Sequence, residues 1–384
     1  MESTAKHDWP MVRLGDVCEI LNGFAFSSNK FGAEGDMPII RIRDVVSGTT
    51  STYYSGDWDE KYLIQAGEIL VGMDGDFNYA RWNSAPALLN QRVCKVSADE
   101  QHITDAYLFH VLQFPLHDIW EKTAFVTVKH LSAKRLAEAL IPLPPLDEQR
   151  RIAAILDEAK KLSSSQAAKL ACLREFLDAR SSRIAEEANA VKRLDELCDV
   201  QGGISLGGAR KSYPESAPYL RVANVFRNAI DLREVKNVPV RESELEKYSL
   251  LSGDILVVEA HGNRFEVGRG AVLTESLEGH VYQNHLFRVR PNKGIDSEIL
   301  VQLWNSPRVR KQILSIVSTT SGLNTTSISK IRSIQVPILT SEVQAEFSEL
   351  LHDLTELITQ EEQKLNRVLE LSNSLSTRAF QGEL

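Results

Sequence analysis

The sequence predicts an α+β fold built twice. Two similar α+β modules, related by a pseudo-twofold internal repeat, are each followed by a long helix, and the two helices pair as an antiparallel coiled coil. Three observations carry this. The chain of 384 residues is about 2.5 times the ~150 residues of an ordinary domain, so it needs more than one core. Short segments of the first half recur in the same order in the second. Two stretches of apolar residues at 3-4 spacing close the two halves.

The repeat begins at the N-terminal end. VRLGDVCEILNG (12–23) aligns with KRLDELCDVQGG (192–203), sharing Arg13/Arg193, Leu14/Leu194, Cys18/Cys198 and Gly23/Gly203. The four cysteines have neither Cys-x-x-Cys spacing nor a histidine at zinc-finger distance, so Cys18 and Cys198 read as small core residues at equivalent positions and no metal site is expected. The correspondence continues through IIRIRDV (39–45) with YLRVANV (219–225), GEILV (67–71) with GDILV (253–257), and NQRVCKV (90–96) with QNHLFRV (283–289). It ends at LSAKRLAEALIPLP (131–144) with TSISKIRSIQVPIL (326–339). The offset grows slowly, as it does when loops differ in length.

Within a module, β-branched runs bounded by Gly, Asp or Asn read as strands: Pro38 to Arg43, Glu68 to Gly72, Val93 to Val96 and Ile255 to Val258. Asp105 to Gln113 and Ser297 to Asn305 read as amphipathic helices opened by an acidic or Ser cap. After the proline-rich stop IPLPPLDEQ (141–149) the pattern changes, and no Pro or Gly occurs from Asp147 to about Asn189. The expected seam of the paired helices is Ile152, Ile155, Leu156, Ala159, Leu162, Leu173, Phe176 and Leu177 against Phe347, Leu350, Leu354, Leu357, Leu365, Val368, Leu371 and Leu375, and Ile152, Ile155, Leu156, Leu162, Leu173, Phe347, Leu350, Leu354, Leu357, Leu365 and Val368 are the expected subunit-interface residues. Each helix of roughly 40 residues would be ~60 Å long.

Composition narrows the function classes. With 43% hydrophobic and 25% charged residues and no run of ~18 apolar residues, the expectation is a soluble chain without a membrane partner. The N-terminal MESTAKHDWPMVRLGD lacks the apolar stretch of a secretory signal, which points to the cytoplasm. The net charge is −8, unevenly distributed: residues 1–146 carry −6, 147–190 carry 0, 191–340 carry +4 and 341–384 carry −6. The basic segment holds thirteen arginines, the side chain suited to bidentate recognition of guanine edges and phosphates. Catalytic signatures are missing. GGISLGG (202–208) has no phosphate-binding Lys, the only Pro-Pro pair is Pro144-Pro145 between leucines, and neither His-Glu-x-x-His nor Gly-x-Ser-x-Gly occurs.

The combination of IPLPPLDEQRRIAAIL (141–156), its degenerate echo VPILTSEVQAEF with Pro337 and Gln344, the terminal STRAFQGEL (376–384), and GDIL and NHLFRV in the second module resembles the specificity subunit of Type I restriction-modification systems. The resemblance covers essentially the whole chain. It departs where the central helix ends, in SSRIAEEAN, without the terminal motif.

The resemblance implies target-recognition domains at 1–146 and 191–340, a central conserved helix at 147–190 and a C-terminal conserved helix at 341–384. It implies a non-catalytic subunit that binds double-stranded DNA at a bipartite asymmetric site and docks two modification (methyltransferase) subunits that methylate adenine. Restriction and motor subunits would complete the complex. S-adenosylmethionine, ATP and Mg are then expected on the partners and no cofactor on this chain. A coiled-coil scaffold that binds only protein is the alternative reading. A pseudo-twofold reader of two half-sites does need two similar modules at a fixed spacing. The expected DNA contacts are donors on loops between strands: Arg41, Arg43, Asn78, Tyr79, Arg81, Lys129 and His130 in the first module, and Arg221, Asn224, Asn263, Arg264, Arg269, His285, Asn324, Thr325 and Lys330 in the second. For each, a solvated loop side chain or a structural ion pair is the ordinary alternative. Asp74 and Asp76, beside Arg81, fit a cytosine-accepting role or plain turn chemistry.

Overall fold

The computed structural model describes residues 9–384 apart from 124–128, 208, 209, 211, 274–276, 278 and 321. The chain divides into two compact units, Met1–Gln166 with Leu365–Leu384, and Ala167–Lys364. Among the described residues no helix is long and apolar enough to cross a membrane.

In the first unit an antiparallel sheet has the strand order Cys18–Asn22, Val93–Ala98, Ile69–Gly72, Tyr79–Arg81. In the second unit the order is Cys198–Gly202, Leu286–Pro291, Ile255–Val258, Gly270–Val272. The repeat therefore reaches sheet topology. Beside each lies a second sheet containing a parallel pair, five-stranded in the first unit with Ile39 opposite Leu88 and three-stranded in the second with Tyr219 opposite Val281. A two-stranded ribbon ties the start of each module to its end, Val12 opposite Ile141 and Val191 opposite Pro337.

The GEILV and GDILV strands are apolar throughout because both of their faces are covered. Ile69 and Val71 enter one core with Leu14, Tyr107 and Leu108, whereas Leu70 enters another with Ile40, Trp82 and Leu89. Ile255 and Val257 pack with Leu300 and Trp304, and Leu256 and Val258 with Leu220 and Tyr282. The two-residue period of a strand alternates its side chains between these cores. Cys18, Cys94 and Cys198 are buried, and burial pushes each thiol up to about 12. Cys172 is exposed.

Local chemistry explains where elements stop. The strand expected to run to Arg43 ends at Ile40, because the Asp44 carboxylate accepts the Arg41 N–H at 2.9 Å and turns the chain. The helix from Asp105 stops at Val111, and a second spans Gln113–Lys122. Pro115 has no N–H to offer the carbonyl of Val111, so the helical hydrogen-bond ladder is interrupted there. The caps lie one residue before the expected helix starts: Thr104 accepts from Tyr107, and Asp296 from Glu298 and Ile299.

The long helices are Leu146–Glu187 and Ser341–Gln381, and they pair antiparallel. In the first unit Ile152 and Leu156 pack with Ala379, and Arg151 donates to the Leu384 carbonyl at 2.9 Å. In the second unit Leu177 and Ile184 share a core with Phe347, Leu351 and Leu354. Lys169 reaches the buried Glu361 at 3.0 Å, a polar contact of the kind that sets helix register.

The seam corrects part of the expected list. Ile152, Leu156, Phe347 and Leu354 are buried within the chain itself and offer no surface to another subunit. Ile155, Leu173, Leu350, Leu357, Leu365 and Val368 are half-buried. Leu162, Phe176 and Leu371 stand more than half exposed, at 51%, 52% and 54%. Leu170, Leu177 and Ile184, spaced by sevens, are the buried row on the central helix. Phe176 lies one step of 100° away from that row, which places it outside the seam.

His110 fastens a module to its helix. It is buried, and its Nε2 donates to Asp157 Oδ1 at 2.8 Å. Burial outweighs the carboxylate and pulls the imidazole pKa below its ordinary value. The unfolded chain then takes up the proton first as pH falls below about 6.5, so this contribution to stability is present above that value and is lost on acidification. A melting curve followed between pH 7 and 5 should fall with pH, and His110→Asn should flatten the dependence.

Candidate nucleic-acid interface

Three segments converge at one end of the first module's sheet: the loop after Ile69–Gly72, the turn before Val93–Ala98, and the stretch entering the helix Ala133–Ala137. Asp74 forms a bridge with His130, and the Met73 N–H donates to the Arg92 carbonyl at 2.8 Å. His130 Nδ1 lies 2.7 Å from Asp74 Oδ1, and Arg92 Nε lies 3.6 Å from Asp74 Oδ2. Asp74 is thus paired with His130 and Arg92 rather than with Arg81.

The second module repeats the convergence. Its counterpart loop forms Ala260–His261, paired with Leu323–Thr325, while the Glu259 N–H donates to the His285 carbonyl at 2.9 Å. His285 Nδ1 lies 3.3 Å from Glu259 Oε2, and burial raises the Glu259 carboxyl above its ordinary range. Asn263 caps a short turn by accepting from the Phe265 N–H at 3.0 Å.

Several residues expected to contact DNA are held by the fold. Arg81 pairs with Asp105 at 2.6 Å and donates to the Gly67 carbonyl. Lys129 is buried, with Nζ donating to the Trp120 carbonyl at 2.6 Å and lying over the Trp120 ring. Tyr79 packs on Phe109, and burial pushes its phenol up to about 12. Asn224 is buried in a turn, accepting from the Arg221 N–H and donating to the Asp231 and Glu234 carbonyls. It does what Asp44 does in the first module. Arg269 is buried against Glu266 at 2.7 Å. Asn324 is buried, donating to the Gly262 carbonyl and accepting from Thr319 Oγ1. Arg221 pairs with Glu234 at 3.3 Å, and Thr325 donates to the Thr326 carbonyl.

Others present themselves to solvent. Asn78, Asn263 and Arg43 are exposed, His130 and His285 are 51% and 42% exposed at the side chain, and Arg41 is half-buried. Arg264 and Lys330 are exposed and each ties back to a carbonyl, of Leu314 and of Ile316. Arg92 and Glu259 are members of the two clusters that sequence reasoning missed. The signal was available, since Arg92 and His285 occupy the same column of the NQRVCKV and QNHLFRV alignment.

Several arginines of the second module are held in ion pairs. Arg193, Arg210, Arg233, Arg288 and Arg290 are paired with Asp195, Glu244, Asp231, Asp199 and Asp254 respectively. These pairs leave the net +4 of the segment unchanged, and the cations left over from them carry it.

Residues 6–173 and 186–370 match the family described as Type I restriction modification DNA specificity domain. The chain is 30% identical over 417 aligned positions to the specificity subunit of the Type I restriction enzyme EcoBI of Escherichia coli, covering 98% of this chain and 87% of that protein. It is 23% identical to the EcoKI specificity subunit of Escherichia coli strain K12, covering 98% and 89%. The crystal structure of the S subunit of a Type I restriction-modification system from M. genitalium aligns with a TM-score of 0.56 at 14% identity, over 98% of this chain and 97% of that one. A chain from a structural study of type I R-M complex assembly aligns with a TM-score of 0.55 at 15% identity, over all of both chains. At these identities the structural likeness is one of fold. With both of its halves matched by the same family, this chain belongs to the specificity subunits of Type I restriction-modification systems.

Proposed function

We propose that the chain is the non-catalytic DNA reader of its complex, with the modules 1–146 and 191–340 each contacting one half of an asymmetric bipartite site. The observation that carries this is the duplicated convergence of loops, Asp74, Arg92 and His130 in one module and Glu259, His261 and His285 in the other. Two similar but non-identical reading edges on one polypeptide suit two different half-sites. Donors at these edges would read bases, while Arg43, Asn78, Arg264 and Lys330 would hold phosphates. The exposed helix residues Leu162, Phe176, Leu369 and Leu371 suit docking of two modification subunits, which would bring S-adenosylmethionine and methylate adenine on double-stranded DNA. Separate restriction subunits would bring ATP and Mg, and the assembly would work in the cytoplasm.

The test is methylation-sensitive sequencing of DNA from cells carrying this chain with its modification partner. A bipartite, asymmetric adenine-methylated site is expected; an assembled complex that methylates no defined sequence refutes the reading and favours a protein-binding scaffold. The helices at 147–190 and 341–384 would set the unread spacer. Removing one heptad from each shortens it by ~10 Å, about three base-pair steps. An unchanged spacer in a complex that still assembles would refute the ruler.

A further inference from the structure

We propose that Arg92 and His285, which occupy one backbone position in the two modules, are the base-reading residues of their respective half-sites, with Arg92 taking a guanine. The assignment rests on the DNA-reading function proposed above and goes beyond it by naming the specificity-determining position.

The positional equivalence is set by backbone bonds. The carbonyl of Arg92 accepts from Met73, whose own carbonyl accepts from Leu131 at 2.7 Å; the carbonyl of His285 accepts from Glu259, whose carbonyl accepts from Thr326 at 3.1 Å. The strands that follow are in matching register, Val93 opposite Gly72 and Leu286 opposite Val258. The neighbouring repeat positions keep their residue type where packing demands it, as at Gly23/Gly203 and Cys18/Cys198. Here the scaffold is shared and the side chain differs. That is the pattern required of a position that must read different bases from an unchanged frame.

Both side chains are available. Arg92 is 55% exposed and His285 42% exposed at the side chain, each backed by a less exposed carboxylate, Asp74 or Glu259. Arg92 has φ +74°, a left-handed conformation uncommon for a residue with a side chain, and the Met73 N–H on its carbonyl helps to hold it. Its Nε side faces Asp74 at 3.6 Å, while Nη1 faces His130 Nδ1 at 3.2 Å. One ring nitrogen cannot donate to Asp74 and also accept from Arg92. The shorter contact, 2.7 Å to Asp74, assigns the proton to His130 Nδ1. The Nη edge of Arg92 is then left with donors for an incoming acceptor pair, such as O6 and N7 of guanine. For neutral His285, an Nδ1 proton directed at Glu259 leaves Nε2 as an acceptor for an exocyclic amino group.

The experiment uses the full chain with its modification partner and reads methylated sites by sequencing. Arg92→Asn suits the left-handed backbone and replaces the fork with an amide. It should lower discrimination for guanine at one position of the first half-site by about ten- to a hundred-fold, leaving the second half-site and the spacer unchanged. His285→Arg should install guanine preference in the second half-site only. Arg92→Lys, which keeps the charge without the fork, covers the case in which the asparagine variant fails to fold, and it should relax the same position. Unchanged base preference in assembled variants overturns the assignment, as does a uniform loss of methylation across sites, the signature of a phosphate contact. A wild-type complex with no defined target would instead refute the DNA-reading function itself.

Discussion

Gly23→Ala is expected to destabilise the first module by ~3 kcal/mol, and Gly203→Ala the second by a similar amount. A Cβ at Gly23 would lie 2.1 Å from the Asn90 carbonyl oxygen, and one at Gly203 would lie 2.3 Å from that of Gln283. Both obstacles are backbone and cannot swing aside. They belong to the junction that joins the two sheets of each module. Phe24 donates to the Leu89 carbonyl and accepts from the Gln91 N–H, at 3.0 and 2.8 Å; Ile204 donates to the Tyr282 carbonyl and accepts from the Asn284 N–H, at 2.8 and 2.9 Å. Relieving the clash means opening these bonds. Hydrogen exchange should show lost protection around 18–24 and 87–96 in the first variant and around 198–204 and 281–290 in the second. Stability within about 0.5 kcal/mol of wild type, the range of ordinary surface substitutions, would show that the junction yields.

The second large effect concerns the proline-rich element. Gln149 is completely buried, its Oε1 accepting from the Thr104 N–H at 2.8 Å and its Nε2 donating to the His102 and Pro144 carbonyls, each at 2.9 Å. It binds the start of the central helix to the cap of the module's own helix. Gln149→Leu keeps the volume but strands the Thr104 N–H and two carbonyls, at a cost of ~3 kcal/mol. Its counterpart Gln344 is half-buried beside an apolar cavity of about 70 Å³ lined by Leu197, Ile299, Leu300, Leu303 and Pro337. Gln344→Leu should therefore be close to neutral. Denaturation midpoints of the two variants measured side by side decide this, and equal losses would refute the asymmetry.

The contrast between these glutamines shows how far the sequence could be read. Both occupy the same column of the repeat, and pattern alone placed both at the start of a helix. Only tertiary packing distinguishes a side chain enclosed by three bonds from one beside a small void. The terminal AFQGEL motif behaves in the same way. Sequence marked it, and the structure explains it: Phe380 packs on Tyr107 and Phe114, Ala379 is buried, and Gly382 at φ +72° ends the helix. For the candidate interface, residue type alone could not separate Lys129, Asn224, Arg269 and Asn324, which are buried, from His130 and His285, which are accessible.

What the sequence by itself determined is the duplication, the α+β class, the strands of the repeated core and the two long helices. These follow from local periodicity, turn chemistry and self-similarity, all of which are carried within short windows. The tertiary structure alone decided which loops converge on Asp74 and Glu259, which arginines are neutralised by acids distant in sequence, and which helical row is buried. Arg288 and Asp199, 2.7 Å apart across neighbouring strands, and Lys169 and Glu361, 3.0 Å apart between two helices, meet only through packing of remote segments, so no local pattern encodes whether a given charge remains free.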